Sequence, residues 1–306
     1  MIQVNVAKTD TPQPAISLAF IWRRIHRWPR AVRWPLKFLV FALVTGLVLY
    51  PKVWLLPTWI ARLRSLDGVI DATCPSLAPL EAEVLAAAGP HATLPAVAGD
   101  VERTVYAHIP YAYDWETWGV MDYIPTVAEV FAKGREDCDG RAVVAASLLR
   151  RLGYDAHLVT DLKHVWVVAQ EGVAAPVELM GPGEGERTLA GGKSGTTVRW
   201  DAAAFENLAR GLTFGIAVFP RVRELLIVAA LCAVTLQPHS SRARRLAGCA
   251  LLLGALVLLR AAGPATATIA QHPTLVWAGA AAALTGWLLL ALESRSARIA
   301  GSAQVR

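Results

Sequence analysis

A chain of 306 residues that is 55% hydrophobic, with a mean hydropathy of +0.41, is too apolar for an ordinary soluble protein of its size. The composition implies membrane spans beside one globular domain. The net charge of +6 is unevenly spread: residues 58–210 hold 13 Lys/Arg and 21 Asp/Glu, a local charge of −8, and the remainder carries +14. Basic residues therefore flank apolar runs, as the positive-inside rule requires, and no basic stripe interleaved with aromatics crosses the central part, which excludes a nucleic-acid partner.

Residues 1–36 open polar and turn basic through Arg23, Arg24, His26, Arg27, Arg30 and Arg33. They read as a cytoplasmic segment with a short Arg- and Trp-rich helix suited to an anionic membrane face. Residues 37–56 form the first apolar run. A secretory signal peptide competes for this segment, but the long basic lead and the lack of an A-x-A-like site favour an uncleaved transmembrane anchor, with Lys37 and Lys52 snorkelling at its ends.

Residues 57–220 follow as a domain on the outer face. Three further runs, Leu225–Leu236, Leu246–Leu259 and Leu275–Leu292, occupy 221–294 and read as about three more spans, ahead of a cytoplasmic tail at 295–306. Arg242, Arg244 and Arg245 follow the first of these runs, and Arg295, Arg298 and Arg306 follow the last, whereas only Arg260 lies between the other two. Four spans with both termini inside satisfy every one of these biases. In a bacterium this is a multi-pass inner-membrane protein whose domain faces the periplasm. The competing reading makes some runs buried helices of a soluble fold.

Within the domain, residues 181–195 are Gly-rich and polar and read as a loop. Gly192-Lys193-Ser194 suggests a phosphate loop, but Arg187 stands where that loop needs glycine. Cys232 and Cys249 lie in apolar runs, Cys74 and Cys138 in the domain, and no spacing matches a zinc site. A Cys74–Cys138 disulfide stays open in an oxidising compartment.

Cys138 precedes a helical pattern with Val143, Val144, Leu148, Leu149 and Leu152 on its apolar positions and Gly153 at its end. The thiol therefore sits at a helix N-terminus, where unpaired N–H groups favour a thiolate; the flanking Asp137 and Asp139 read as caps rather than cation ligands, and their charge opposes it. Tyr154–Thr160, His164–Val168 and Pro176–Met180 read as strands, with His164 and Trp166 on one face. A helix followed by an antiparallel sheet is an α+β arrangement. Cys138, His164 and Glu178 can serve as nucleophile, base and orienting carboxylate. Tyr123, Trp118 and Trp115 are candidate side-chain donors to an oxyanion.

Gly134, Asp137-Cys138-Asp139-Gly140, Ala142, Leu148-Leu149-Arg150, Leu152-Gly153-Tyr154, His164-Val165-Trp166-Val167 and the aromatic lead-in Tyr111–Tyr123 together resemble the bacterial transglutaminase-like superfamily, over about residues 100–180. The resemblance implies a papain-like core, in which a Cys-bearing helix packs on an antiparallel sheet, here joined to about four transmembrane helices. It also implies thiol-mediated amide hydrolysis or acyl transfer on a peptide, protein or peptidoglycan-like substrate, with no metal or organic cofactor. The family usually places Asp where Glu178 stands. That departure supports a second reading, a catalytically inactive binding or assembly module of a membrane complex.

Overall fold

The computed structural model describes residues 25, 28–89, 91–181, 187–192, 194–237, 240–263 and 272–292. The basic segment ahead of residue 25, residues 182–186 and 193 of the Gly-rich segment, and the tail at 295–306 lie outside the described residues.

Among the described residues the architecture is a mixed helical domain around one antiparallel sheet, with three helices long and apolar enough to cross a membrane: α1 (Arg30–Leu49), α10 (Arg242–Ala262) and α11 (Pro273–Ala291). Pro29, extended at the N-cap, starts α1 seven residues ahead of Lys37. Lys37 is therefore inside the helix and not at its edge, 1% exposed, with its ammonium 5.2 Å from the Trp34 ring centre. The run at Leu225–Leu236 lies in α9 (Arg221–Thr235), 15 residues long. That is about 22 Å of helix, short of a hydrocarbon core of about 30 Å. It packs on α1 and α11. The helices α10 and α11 cross closely: a Cβ on Gly286 would lie 2.9 Å from the Gly248 carbonyl oxygen.

Between α1 and α9 the domain builds α2 (Leu55–Arg64), α3 (Ala78–Ala88), α4 (Leu94–His108), the single turn α5 (Asp114–Thr117), α6 (Val127–Lys133) and α7 (Cys138–Arg151). Strands β1 (Asp155–Thr160), β2 (Val165–Gln170), β3 (Val177–Leu179), β4 (Leu189–Ala190) and β5 (Thr197–Val198) follow, then α8 (Ala202–Val218). The sheet order is β3-β2-β1-β4-β5, every pair antiparallel. Part of the segment read as a loop thus enters the sheet, because Leu189 and Ala190 pair with Thr160 and Val159.

Helix α7 is held by its ends. The Asp137 carboxylate accepts from the Asp139 N–H at 3.1 Å, and Gly153, at φ +94°, turns the chain out into β1. Ala142–Leu149 are buried between β1 and β2 on one side and α4 and α6 on the other. This is the main core, which includes Cys74 as an unpaired buried thiol.

A smaller cluster of Tyr50, Trp118, Val120 and Tyr123 joins the end of α1 to the aromatic lead-in. The Met121 N–H donates to the Leu49 carbonyl (2.9 Å), the Tyr50 hydroxyl donates to the Asp122 carbonyl (3.2 Å), and the Trp59 indole donates to the Asp122 carboxylate (3.0 Å).

On the opposite side α8 packs on the β1–β2 turn. A Cβ on Gly211 would stand 2.6 Å from the Leu162 carbonyl oxygen. Leu162 itself has φ +70°, and the Asp161 carboxylate accepts from the N–H groups of Lys163 (2.9 Å) and His164 (2.7 Å). The turn is thus closed by its own side chain, and the carbonyl facing Gly211 has little freedom to retreat. Gly211→Ala is expected to destabilise the fold by about 1–3 kcal/mol, the usual cost of overpacking, measured as a lowered Tm of the detergent-solubilised chain.

Candidate functional site

Cys138 is the first residue of α7 and His164 the last residue before β2, so the packing of α7 on β2 brings helix tip and strand start together. The Val165 N–H lies against the Cys138 sulfur and favours its thiolate. The thiol nevertheless donates to Asp139 Oδ1 (3.3 Å), and no hydrogen bond joins it to the imidazole. Burial, then the charges of Asp139 and Asp137, push the thiol pKa well above the ordinary cysteine value. At neutral pH the sulfur therefore carries its proton. Cys138 is an unpaired, half-buried thiol.

His164 Nε2 lies 2.6 Å from the Met180 carbonyl oxygen. A carbonyl only accepts, so Nε2 carries the proton and Nδ1 is left as the basic nitrogen. Burial lowers the imidazole pKa, with the Met180 carbonyl opposing. Met180 takes φ +59°, a left-handed conformation unusual for a residue with a side chain, and this turns the chain beyond β3. The His164 and Trp166 rings stack at 6.4 Å and 12°, consistent with a shared strand face.

Glu178 does not meet the imidazole. It pairs with Val168 across β2–β3, on the face of His164 and Trp166 but four residues further along. That is about 13 Å of strand. Its carboxylate binds Arg187 (2.5 Å) and is 42% exposed. The structure thus joins Cys138 to the strand that follows His164, gives the imidazole a backbone partner, and leaves Glu178 in a surface ion pair.

The upstream donors are also placed. Tyr123 Oη donates to Glu129 (2.9 Å), the Trp118 indole donates to Glu136, and Trp115 stacks on Tyr113 at 4.2 Å. Three other phenols lie within electrostatic reach of the sulfur. The pKa values of Tyr106, pushed up to about 12, and of Tyr111 and Tyr113 are raised chiefly by burial, with Cys138 contributing to each. Tyr111 is fastened there because Glu136 N–H donates to the Pro110 carbonyl (3.1 Å) and Ala112 N–H to the Glu136 carbonyl (3.2 Å). The Arg141 guanidinium stands 4.8 Å from the Tyr106 ring centre and 5.1 Å from that of Tyr111, and donates to the Ile109 carbonyl. It is a cation within reach of both Cys138 and Asp137. Spacing alone did not single out Tyr106 or Arg141, although Arg141 follows the DCDG motif directly.

Beneath the helix tip lies a group of carboxylates. Asp114, Asp122 and Asp139 offer oxygens within 4.8 Å of one another, as do Asp114, Glu136 and Asp137. Asp114 and Asp122 stand among the aromatics of the lead-in, and acids inside an aromatic stretch were the available sequence signal for them. Asp114 accepts from the Tyr123 N–H (2.6 Å) through Oδ2, and its buried Oδ1 has no partner. Glu136 is fully buried, accepting from the Trp118 indole and from the Asp137 N–H (2.7 Å). An all-oxygen set of this kind suits a hard cation by donor chemistry, and protons neutralise it equally well. Burial raises the pKa of all five acids, that of Glu136 to about 7.

The group favours its protonated form in the fold, so its contribution is complete below the ordinary carboxylate range and is lost as pH rises toward 7. The Tm in metal-free buffer is therefore expected to fall from pH 5 to pH 8, by the equivalent of about 1–3 kcal/mol for the Glu136 proton alone; a flat or rising profile would contradict the buried protons. Compared with known proteins, the chain matches no family model, no curated protein and no solved structure.

Proposed function

We propose that the chain is a membrane-anchored cysteine enzyme of transglutaminase-like type, with a papain-like core facing the periplasm across a bacterial inner membrane. The observation that carries this reading is a helix-tip thiol set against the Val165 N–H, one residue along the chain from a histidine whose Nε2 proton is committed to a backbone carbonyl. Nδ1 is then the base that takes the thiol proton. Arg141 and the Val165 N–H stabilise the sulfur once it is charged. The thiolate attacks an amide or thioester carbonyl, and imidazolium Nδ1 returns the proton to the leaving group. Water or an amine then resolves the acyl-enzyme. Met180 supplies the orienting contact that Glu178 was expected to make, and a neutral acceptor leaves the imidazole less basic than a carboxylate would. The positive-inside bias supports four crossings, with the short α9 counted as one.

The thiol's bond to Asp139, and the engagement of Glu178 with Arg187, favour one specific rival: a non-catalytic module that keeps the fold. Two measurements separate them. Incubation of the solubilised chain with a peptide thioester is expected to give an acyl adduct on Cys138 by intact mass, with its rate falling at least about 100-fold in His164→Ala, as for loss of a general base. Absence of the adduct, or an unchanged rate in His164→Ala, would assign the rival. Asp139→Asn is expected to speed iodoacetamide alkylation of Cys138 at pH 7 by about tenfold for each pKa unit recovered.

A further inference from the structure

An apolar groove of about 470 Å³ lies outside the site between α2 and α8, walled by Ile60, Leu162, Val198, Trp200, Phe205 and Leu208, with Arg64 also in its lining. Helix α8 turns Ala204 and Asn207 inward, where the Asn207 amide donates to the Thr188 hydroxyl, and presents Phe205, Leu208 and Leu212 outward. The spacing i, i+3, i+7 makes these three a single stripe. Trp200 is 79% exposed, Phe205 67% and Leu212 59%, a degree of apolar exposure that a water-facing helix rarely carries.

Both walls of the groove are elements joined directly to the apolar helices. Helix α2 begins at Leu55, just after α1 ends at Leu49, and the joint exposes Val53 and Trp54. Helix α8 runs through Phe219 and Pro220 into α9, where Val222, Leu225 and Leu226 continue the exposed apolar surface. The C-terminal end of α8 is tied to the span α10 through Arg260, which donates to the carbonyls of Ile216 (3.0 Å), Ala217 (2.8 Å) and Phe219 (2.9 Å). The stripe therefore lies on an element that leads directly into the apolar helices.

We infer that the outer leaflet of the bilayer is the occupant of this face: α8 lies in the membrane interface, Trp200 anchors its N-terminal end, and lipid acyl chains fill the groove. The inference rests on the membrane part of the proposed function. It gives the site an orientation, because Leu162 lines the groove and belongs to the turn that ends at His164, and because the same turn carries α8 through Gly211. The groove thus opens beside the imidazole's own turn, a placement suited to substrates attached to the membrane.

The test is nitroxide accessibility in the full chain, reconstituted in phospholipid nanodiscs, with labels at Phe205→Cys, Leu208→Cys and Leu212→Cys, against the unsubstituted chain as background. Val173→Cys, at a fully exposed position after β2, is the water reference, and Val257→Cys on α10 is the lipid reference. Oxygen collisions exceeding those of a nickel chelate severalfold at all three α8 sites, with the reverse at Val173, are expected. Chelate access at the α8 sites with Val257 in lipid would overturn the docking while leaving the spans intact. Spin–spin broadening at the α8 sites would assign the face to a second copy and likewise overturn it. Chelate access at Val257 would overturn the membrane reading itself.

Discussion

The contact on which the site depends is the burial of α7 against the β1–β2 hairpin. It is driven by ordinary apolar packing of Ala142, Val143, Ala145, Ala146 and Leu149, all fully buried. Because a helix and a hairpin packed this way have little freedom to slide, the first residue of the helix is held at the first residue of the strand. Chemistry follows from that register. The sulfur is delivered to a strand N–H and the imidazole to a carbonyl across the sheet, so that the protein's backbone, rather than a third side chain, sets the proton positions on the histidine.

The same helix tip concentrates negative charge. Asp137 is needed as a cap, Glu136 and Asp139 flank it, and Asp114 and Asp122 come in from the lead-in. Five acids in so small a volume cannot all ionise in a low-dielectric interior. Their protons, Arg141 and the indole and amide donors around them hold the arrangement together. The cost falls on the thiol, which rests protonated against Asp139. Reactivity at Cys138 is therefore governed by whatever changes the charge of this cluster, as much as by the histidine.

Much of this was legible in the sequence, for physical reasons that can be named. The helix after Cys138 carries its own period, cap and stop, and the flanking strands alternate or run apolar as buried strands do. The placement of His164 and Trp166 on one face follows from a two-residue period alone. Other features were opaque. The Met180 carbonyl is common to every residue type, so nothing in the letters marks it as a partner for His164. Glu178 has the right chemistry and the right face, and only the register across β2–β3 shows that it stands too far along. The start of α1 was misplaced because hydropathy sees the apolar run, whereas Pro29 and the amphipathic Arg and Trp residues begin the helix earlier. Strands β4 and β5 are two residues each, below the length at which a pattern can be read.

The junction at Tyr50 makes α1 part of the domain's packing. Leu49 supplies an acceptor for Met121, and the Tyr50 ring closes the cluster that holds Trp118 and Tyr123. These two rings in turn deliver an indole to Glu136 and a hydroxyl to Glu129. A cut at Pro51 would separate α1 from a domain that stays joined to α10 and α11, and would strip part of the floor beneath the lead-in, with aromatic side chains newly wetted and the buried acids one layer closer to solvent. Severing this one helix and remodelling the thiol's surroundings would be one event.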